Sequence, residues 1–253
     1  MLFQHRKEKI LNLLSESNTV RIHDLVTRIG ASESTIRRDL MTLEEEGLLT
    51  RVHGGATKVK NIGIEQKMSQ KESINHEIKA KIAKYCSTLV KPNSQIYIDA
   101  GTATLELVRV LPNDKRIQVV TNGVDQALLA LQRGINVTLL GGPVKQNTHA
   151  IAGITAYQQL ERMNFSFAFI GMNGLSYENG LTTTNLDEAM IKECAMQQSH
   201  KIRILMDNSK IDQIYEFKVN APTQAIILLN KQAKVNSPDT IHKLANHFDL
   251  HFL

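Results

Sequence analysis

Cysteine and proline are nearly missing from this chain of 253 residues: there are two cysteines and five prolines, and no proline comes before Pro92. Cys86 and Cys194 have neither CxxC spacing nor a neighbouring ligand cluster, which excludes a disulfide scaffold or a zinc ribbon and predicts two small buried side chains. No apolar run approaches the roughly 18 residues of a membrane span, and the densest, near Phe165 to Ile170 and Ala225 to Leu229, have strand length. The opening MLFQHRKEKILNLLSESN has basic residues but no sustained apolar segment or small-residue cleavage site, so secretion is not expected and the cytoplasm is the default. HExxH, GxSxG and any cluster of His with Cys are absent too, and neither a metal nor a cofactor is expected.

What is present suits a folded chain. Hydrophobic residues make up 42% and charged residues 22%, enough apolar surface to bury a core, and the length suggests two domains. The net charge of +5 permits a polyanionic partner without requiring one. Residues 1–60 hold ten bases against eight acids, so placement matters more than the total. Three of those acids are Glu44, Glu45 and Glu46, which leaves the bases around Arg37, Arg38 and Arg51 unopposed.

The proline-free first 91 residues have largely helical apolar spacing. Later, the β-branched runs QIYID, IQVVT, NVTLL, FSFAFI, IRILM and AIILL alternate with helix-length amphipathic segments, the pattern of a parallel sheet with helical crossovers. The expected organisation is a small helical domain over residues 1–57, a polar linker over 58–73, and an α/β domain over 74–253. The last opens with a helix carrying Ile74, Ile78, Ile82 and Leu89 on one side.

In the first domain, helices are predicted from about His5 to Ser15 and from Arg21 to Ile29, the second ended by Gly30. Ser32 is a good N-cap for a third, whose Ile36, Leu40 and Leu43 face the core. Ser34, Arg38 and Met41 then point outward, flanked by Thr35 and Arg37. After Gly47, LLTRVHGGA reads as a two-stranded wing: Leu48 and Val52 pack inward, Arg51 and His53 face phosphates, and Gly54 and Gly55 allow close backbone approach. Two helices about a glycine turn, with Ser, Thr and Arg early in the second, form a helix-turn-helix. The bland alternative is that Arg37 and Arg38 are only a solvated helix face.

The run SESTIRRDLMTLEEEGLLTRVHGGA resembles the amino-terminal signature of the DeoR family of bacterial transcriptional regulators. That resemblance implies a winged helix-turn-helix that binds operator DNA, usually as a repressor. Its contacts would be Ser34, Thr35, Arg37 and Arg38 on the recognition helix and Arg51 and His53 on the wing. Dyad-symmetric half-sites are read by symmetric proteins, so a homo-oligomer is expected.

In the second domain, QIYIDAGTATLELVRVL passes from strand to helix through Asp99, Gly101, Thr102 and Thr104, either a phosphate cradle or only a tight turn. Thr121-Asn122-Gly123, Gly141-Gly142 and Gly171-Met172-Asn173-Gly174 are further polar junctions at strand ends, and in an open parallel sheet such loops gather on one edge. Four loops lining one pocket are therefore predicted. Glu188 and Lys192 lie four apart on a helix, as pocket groups or as an intrahelical ion pair. Asp207, Ser209 and Lys210 follow a later strand, Lys210 as a phosphate partner or an exposed turn lysine.

DAGTAT, TNG, GG, GMNG, GLTTTNLDEAMIK and DNSK also follow the DeoR order. The family's effector domain resembles ribose-5-phosphate isomerase in fold, which implies a phosphorylated sugar as inducer. Residues matched for effector binding are Asp99, Gly101, Thr102, Thr104, Asn122, Gly142, Asn173, Gly174, Glu188, Lys192 and Lys210. Ala103 and Gly123 depart from the pattern, standing where threonine and serine are common, and each removes a hydroxyl. The alternative is a sugar-phosphate isomerase-like enzyme with an accessory DNA-binding domain, because its carboxylate base and cationic stabiliser would come from the same residues.

Overall fold

A computed structural model of the chain describes residues 2–17, 19–46, 48–52, 54–57 and 68–253. The chain divides into two compact units, Met1–Asn61 and Ile62–Leu253. His53 and most of the expected linker, residues 58–67, lie outside the described residues.

The first unit runs α1 (Phe3–Ser17), β1 (Thr19–Arg21), α2 (Ile22–Ile29), α3 (Glu33–Glu45), β2 (Thr50–Val52) and β3 (Gly55–Thr57). Gly30 ends α2 in the left-handed conformation at φ 73°, where a Cβ would be strained. Ser32 caps α3 by accepting from the Thr35 amide. Ile10, Leu14, Leu25, Ile29, Ile36, Leu40 and Leu43 close one aliphatic core. Asp39 is buried among them and is held by Arg6, Nε to Oδ2 at 2.6 Å and Nη2 to Oδ1 at 2.9 Å.

The wing differs from expectation. Beyond the antiparallel pair of β2 and β3, a third strand, β1, joins on the far side of β3. Leu48 and Val52 are exposed, and the inward residues are Leu49 and Ala56. The close approach at Gly55 is within the fold: a Cβ there would stand 2.1 Å from the Val20 carbonyl oxygen, so glycine lets β3 lie against β1.

In the second unit, α4 (Met68–Ser73) occupies what was expected to be linker. There follow α5 (His76–Leu89), β4 (Gln95–Ile98), α6 (Thr102–Val110), β5 (Gln118–Thr121), α7 (Val124–Gln132), β6 (Asn136–Leu139), α8 (Ile154–Leu160) and β7 (Phe165–Gly171). Next come β8 (Gly174–Ser176), β9 (Gly180–Thr183), α9 (Leu186–Gln197), β10 (Ser199–Leu205) and, after a short 3-10 turn at Asn208–Lys210, β11 (Phe217–Lys218). The unit ends with β12 (Ala225–Leu229), α10 (Ala233–Asn236), α11 (Pro238–Leu244) and β13 (Asp249–Phe252).

Seven strands form one parallel sheet in the order β13-β12-β10-β7-β4-β5-β6, and β11, β9 and β8 form a small antiparallel sheet. Alternate residues of β7 serve two cores, Ala168 and Ile170 on one face and Phe167 and Phe169 on the other, as the two-residue period of a strand covered on both sides requires. The unit is thus α/β with a mostly parallel sheet. Within α5 the buried series is Lys79, Ile82, Ala83 and Cys86, while Ile74 lies exposed before the helix. From β4 the chain steps outward through β5 to β6, and from β7 it steps the other way through β10 and β12 to β13. Neighbouring β4 and β7 therefore straddle the reversal, where their following loops part and open a crevice.

Candidate functional site

On the first unit, α3 exposes Ser34, Arg37 and Arg38 and half-buries Thr35. The Ser32 hydroxyl lies 3.1 Å from that of Ser34 and 2.8 Å from that of Thr35, so the first turn presents linked hydroxyls. Arg37 and Arg51 border one depression with Val52 and Gly54. The acids sit closer to these bases than the sequence suggested. Arg37 meets Glu33 at 2.6 Å, and Arg51 faces Glu44 at 3.8 Å while its backbone amide donates to the same carboxylate. Of the three arginines, Arg38 alone has no acid in ion-pairing contact among the described residues. Exposed pairs of this kind contribute about 0.2–1 kcal/mol, so a phosphate can replace Glu33 or Glu44 at little cost.

In the second unit, the crevice between β4 and β7 holds a cavity of about 720 Å³, counted with the solvent at its mouth. Asp99, Gly101, Thr102, Asn122, Asn173, Glu188, Lys192 and Lys210 line it. Asp99 follows β4 and is fully buried. Its Oδ2 accepts from the Gly171 amide at 3.0 Å and from the Lys192 ammonium, which also reaches the Gly171 carbonyl at 3.1 Å. Burial raises the Asp99 pKa above 3.8, against the opposing charge and hydrogen bond of Lys192. The other oxygen, Oδ1, is buried with no hydrogen-bond partner among the described residues. Glu188 turns to Lys145 at 3.3 Å and Thr148 at 3.3 Å, while Lys192 crosses to Asp99, so each of the two finds a partner outside α9.

Three expected residues do not line the cavity. Thr104 is buried with its hydroxyl donating to the Gly101 carbonyl at 2.9 Å, which fixes the β4–α6 turn. Gly142, at φ 142°, packs under Ile151, and this loop's contribution to the cavity comes later, from Thr148 and Ala150. A Cβ on Gly174 would meet the Gln213 carbonyl at 2.3 Å, so this glycine serves close packing. Asn122 lines the cavity but spends its amide inside the fold, Oδ1 accepting from Tyr97 and Ala100 and Nδ2 donating to Ile151. At Gly123, the Gln126 amide fills the space of the missing side chain, 2.0 Å from an ideal Cβ, and donates to the Gly101 carbonyl.

Sequence reasoning missed Met68 and Lys71 from α4, and Lys79 from α5, all of which line the cavity. Lys79 had a signal: it begins the buried i, i+3, i+4, i+7 series of α5, a stripe that runs beside the isoleucine series chosen from the sequence.

Residues 6–61 match the DeoR-like helix-turn-helix domain, and residues 74–230 match the DeoR C terminal sensor domain. The uncharacterized HTH-type transcriptional regulator FruR of Bacillus subtilis (strain 168) is 41% identical over 214 residues, 85% of each chain. The lactose phosphotransferase system repressor of Lactococcus lactis subsp. lactis is 34% identical over 214 residues, 83% of this chain and 84% of that one. Among solved structures, ribose 5-phosphate isomerase A from Methanocaldococcus jannaschii aligns with 54% of this chain and 55% of its own at 19% identity and a TM-score of 0.40. Nothing about chemistry follows from that last likeness.

Proposed function

Because the chain belongs to the DeoR family and is a DNA-binding transcriptional regulator, we propose that it represses an operon of sugar metabolism and leaves its operator when a phosphorylated sugar fills the cavity. The single observation that carries this reading is the cavity itself. It lies in the crevice at the sheet's reversal and combines the cation Lys210, suited to phosphate, with the buried Asp99–Lys192 pair, suited to the hydroxylated end of a sugar. A relative that acts as a repressor of a sugar phosphotransferase system supports the direction of control.

Residues 1–57 are the reader, with Ser34, Thr35, Arg37, Arg38, Arg51 and His53 at the duplex, and residues 74–253 are the sensor. The joining segment precedes α4, which belongs to the second unit and lines its cavity. The working form is a cytoplasmic homo-oligomer, since a reader this small gains affinity by pairing on a dyad-symmetric operator. Among the described residues no helix is long and apolar enough to cross a membrane. For release, the sugar phosphate must bind the operator-competent and released conformations unequally, because equal affinity shifts nothing. An isomerase reading has less support, since the relatives are regulators and a sensor cavity uses the same residues simply to bind.

The test is a thermal-shift and operator-release screen of the full chain with pentose and hexose phosphates and their unphosphorylated parents. At least one phosphate should raise Tm and release DNA where its parent does neither. Lys210→Ala should keep operator binding and blunt the release. Operator binding indifferent to every phosphate, or turnover of any of them, would end this reading.

A further inference from the structure

Lys79 is the odd member of the sensor's core. It occupies a buried position of α5 with 3% exposure, in series with Ile82, Ala83 and Cys86. Its ammonium donates to the carbonyl oxygen of Lys71. Among the described residues no carboxylate is in ion-pairing contact with it. Burial is the main cause that lowers its pKa below 10.5; Asp207 and Glu106 act against the shift, and Lys210 and Lys71 add to it. Glu106 is engaged elsewhere, holding Arg109 at 3.1 Å, while Asp207 lines the cavity and accepts through Oδ1 from Asn75 at 2.8 Å and the Ser209 amide at 2.9 Å.

A buried ammonium whose acceptor is one neutral carbonyl destabilises the fold, and an apolar residue would fill this core position at lower cost. Lys79 opens on the cavity together with Lys71, Lys210 and Asp207, and all three of these act on its charge. Three cations and one carboxylate thus border a single space with a cationic excess. Asp99 lines the same space, with its Oδ1 buried and unpartnered among the described residues. The occupant that complements both features has a dianionic end and a hydroxylated end.

We propose that Lys79 is the main counter-charge for the effector's phosphate, which binds among Lys79, Lys71 and Lys210 while the sugar end extends along the cavity toward Asp99. This assignment rests on the sugar-phosphate reading and adds two binding residues that lie ahead of the first strand of the sheet. It also sets the orientation of the sugar. The phosphate faces α4 and α5, and the carbon chain runs toward Asp99 and Lys192.

The experiment compares wild type and Lys79→Met as full chains, titrated with inorganic phosphate and with the pentose and hexose phosphates. Melting temperature and operator binding are both recorded. Without additive, Lys79→Met should melt at or above the wild-type temperature and bind operator equally well, because a buried charge has been removed. Its half-saturating concentration for the responding sugar phosphate should rise about tenfold or more, the equivalent of one lost charge-assisted bond. An unchanged half-saturating concentration in Lys79→Met, with wild type responding, overturns the assignment and leaves the sugar-phosphate reading standing. Wild type that responds to no phosphate removes both. If Lys79→Met shows no cooperative melting, Lys79→Gln is titrated in its place and judged by the same two outcomes.

Discussion

Among the described residues of the unit ending at Asn61 the buried side chains are aliphatic apart from Asp39, whereas the unit beginning at Ile62 buries Lys79, Asp99, Glu106, Glu188, Lys192 and Asp207. A reader of duplex DNA can keep an oil-like interior, because on the proposed reading its polar groups meet their partner on the outside of α3. A sensor of a small polar molecule must carry polar groups into its interior and hold them there with hydrogen bonds and opposite charges. The first unit is organised by packing, and the second by packing interrupted at one crevice.

The sharpest test of this contrast is Lys192→Met, which leaves the buried Asp99 carboxylate without its counter-ion. Breaking one side of a buried pair costs about 3–5 kcal/mol, while removing both sides costs far less. The double variant Asp99→Asn/Lys192→Met should therefore recover most of the stability in urea unfolding. The sign with pH is fixed by burial, which raises the Asp99 pKa in the folded chain. A carboxyl with a raised folded pKa adds stability below its unfolded value, near 3.8. That stability is lost as pH rises through the folded value. The Lys192→Met defect should accordingly grow from acid toward neutral pH. If it does not change with pH, the pair is not the electrostatic centre of the crevice.

A smaller effect is expected outside. Arg38→Ala should weaken operator binding by about 1–3 kcal/mol if the arginine reads a base edge, with no change in the thermal shift caused by a sugar phosphate. Matched-salt binding isotherms check the first part; a diminished thermal shift would blur the division between units. Smallest of all, Ser32→Ala removes the cap of α3 and should lower stability by about 1 kcal/mol. Denaturant unfolding would detect it, and no loss would mean that the linked hydroxyls of Ser34 and Thr35 replace the cap.

The first unit was readable because its core and its proposed DNA-reading residues lie on opposite faces of one helix. The spacing of Ile36, Leu40 and Leu43 located the core, so Ser34 and Arg38 followed as outward residues. In the short wing strands a two-residue period leaves little signal, and Leu49 rather than Leu48 proved to be inside. The central strands of the sensor were legible as β-branched runs. The edge strand β13, with the sequence DLHF and half-exposed, lacked that pattern, as did β9, with the sequence GLTT, and β8 and β11 are too short to show one. For the cavity, residues just after a strand were found because the sheet gathers its strand ends. Thr104, Gly142 and Gly174 have the same composition and location but stabilise turns and close packing, a distinction that needs three-dimensional neighbours. Lys71 and Lys79 come before β4, so reasoning from strand ends could not reach them.

Both thiols lie in the sensor's interior. Burial pushes Cys86 well up and takes Cys194 to about 11, so neither offers appreciable thiolate near neutral pH. The native chain is therefore nearly silent toward maleimide reagents. A single cysteine introduced at Met41, on the outward side of α3, could carry a fluorophore or spin label against an almost blank background. In the proposed homo-oligomer, the spacing between two readers on one duplex could then be followed as distance rather than inferred from binding.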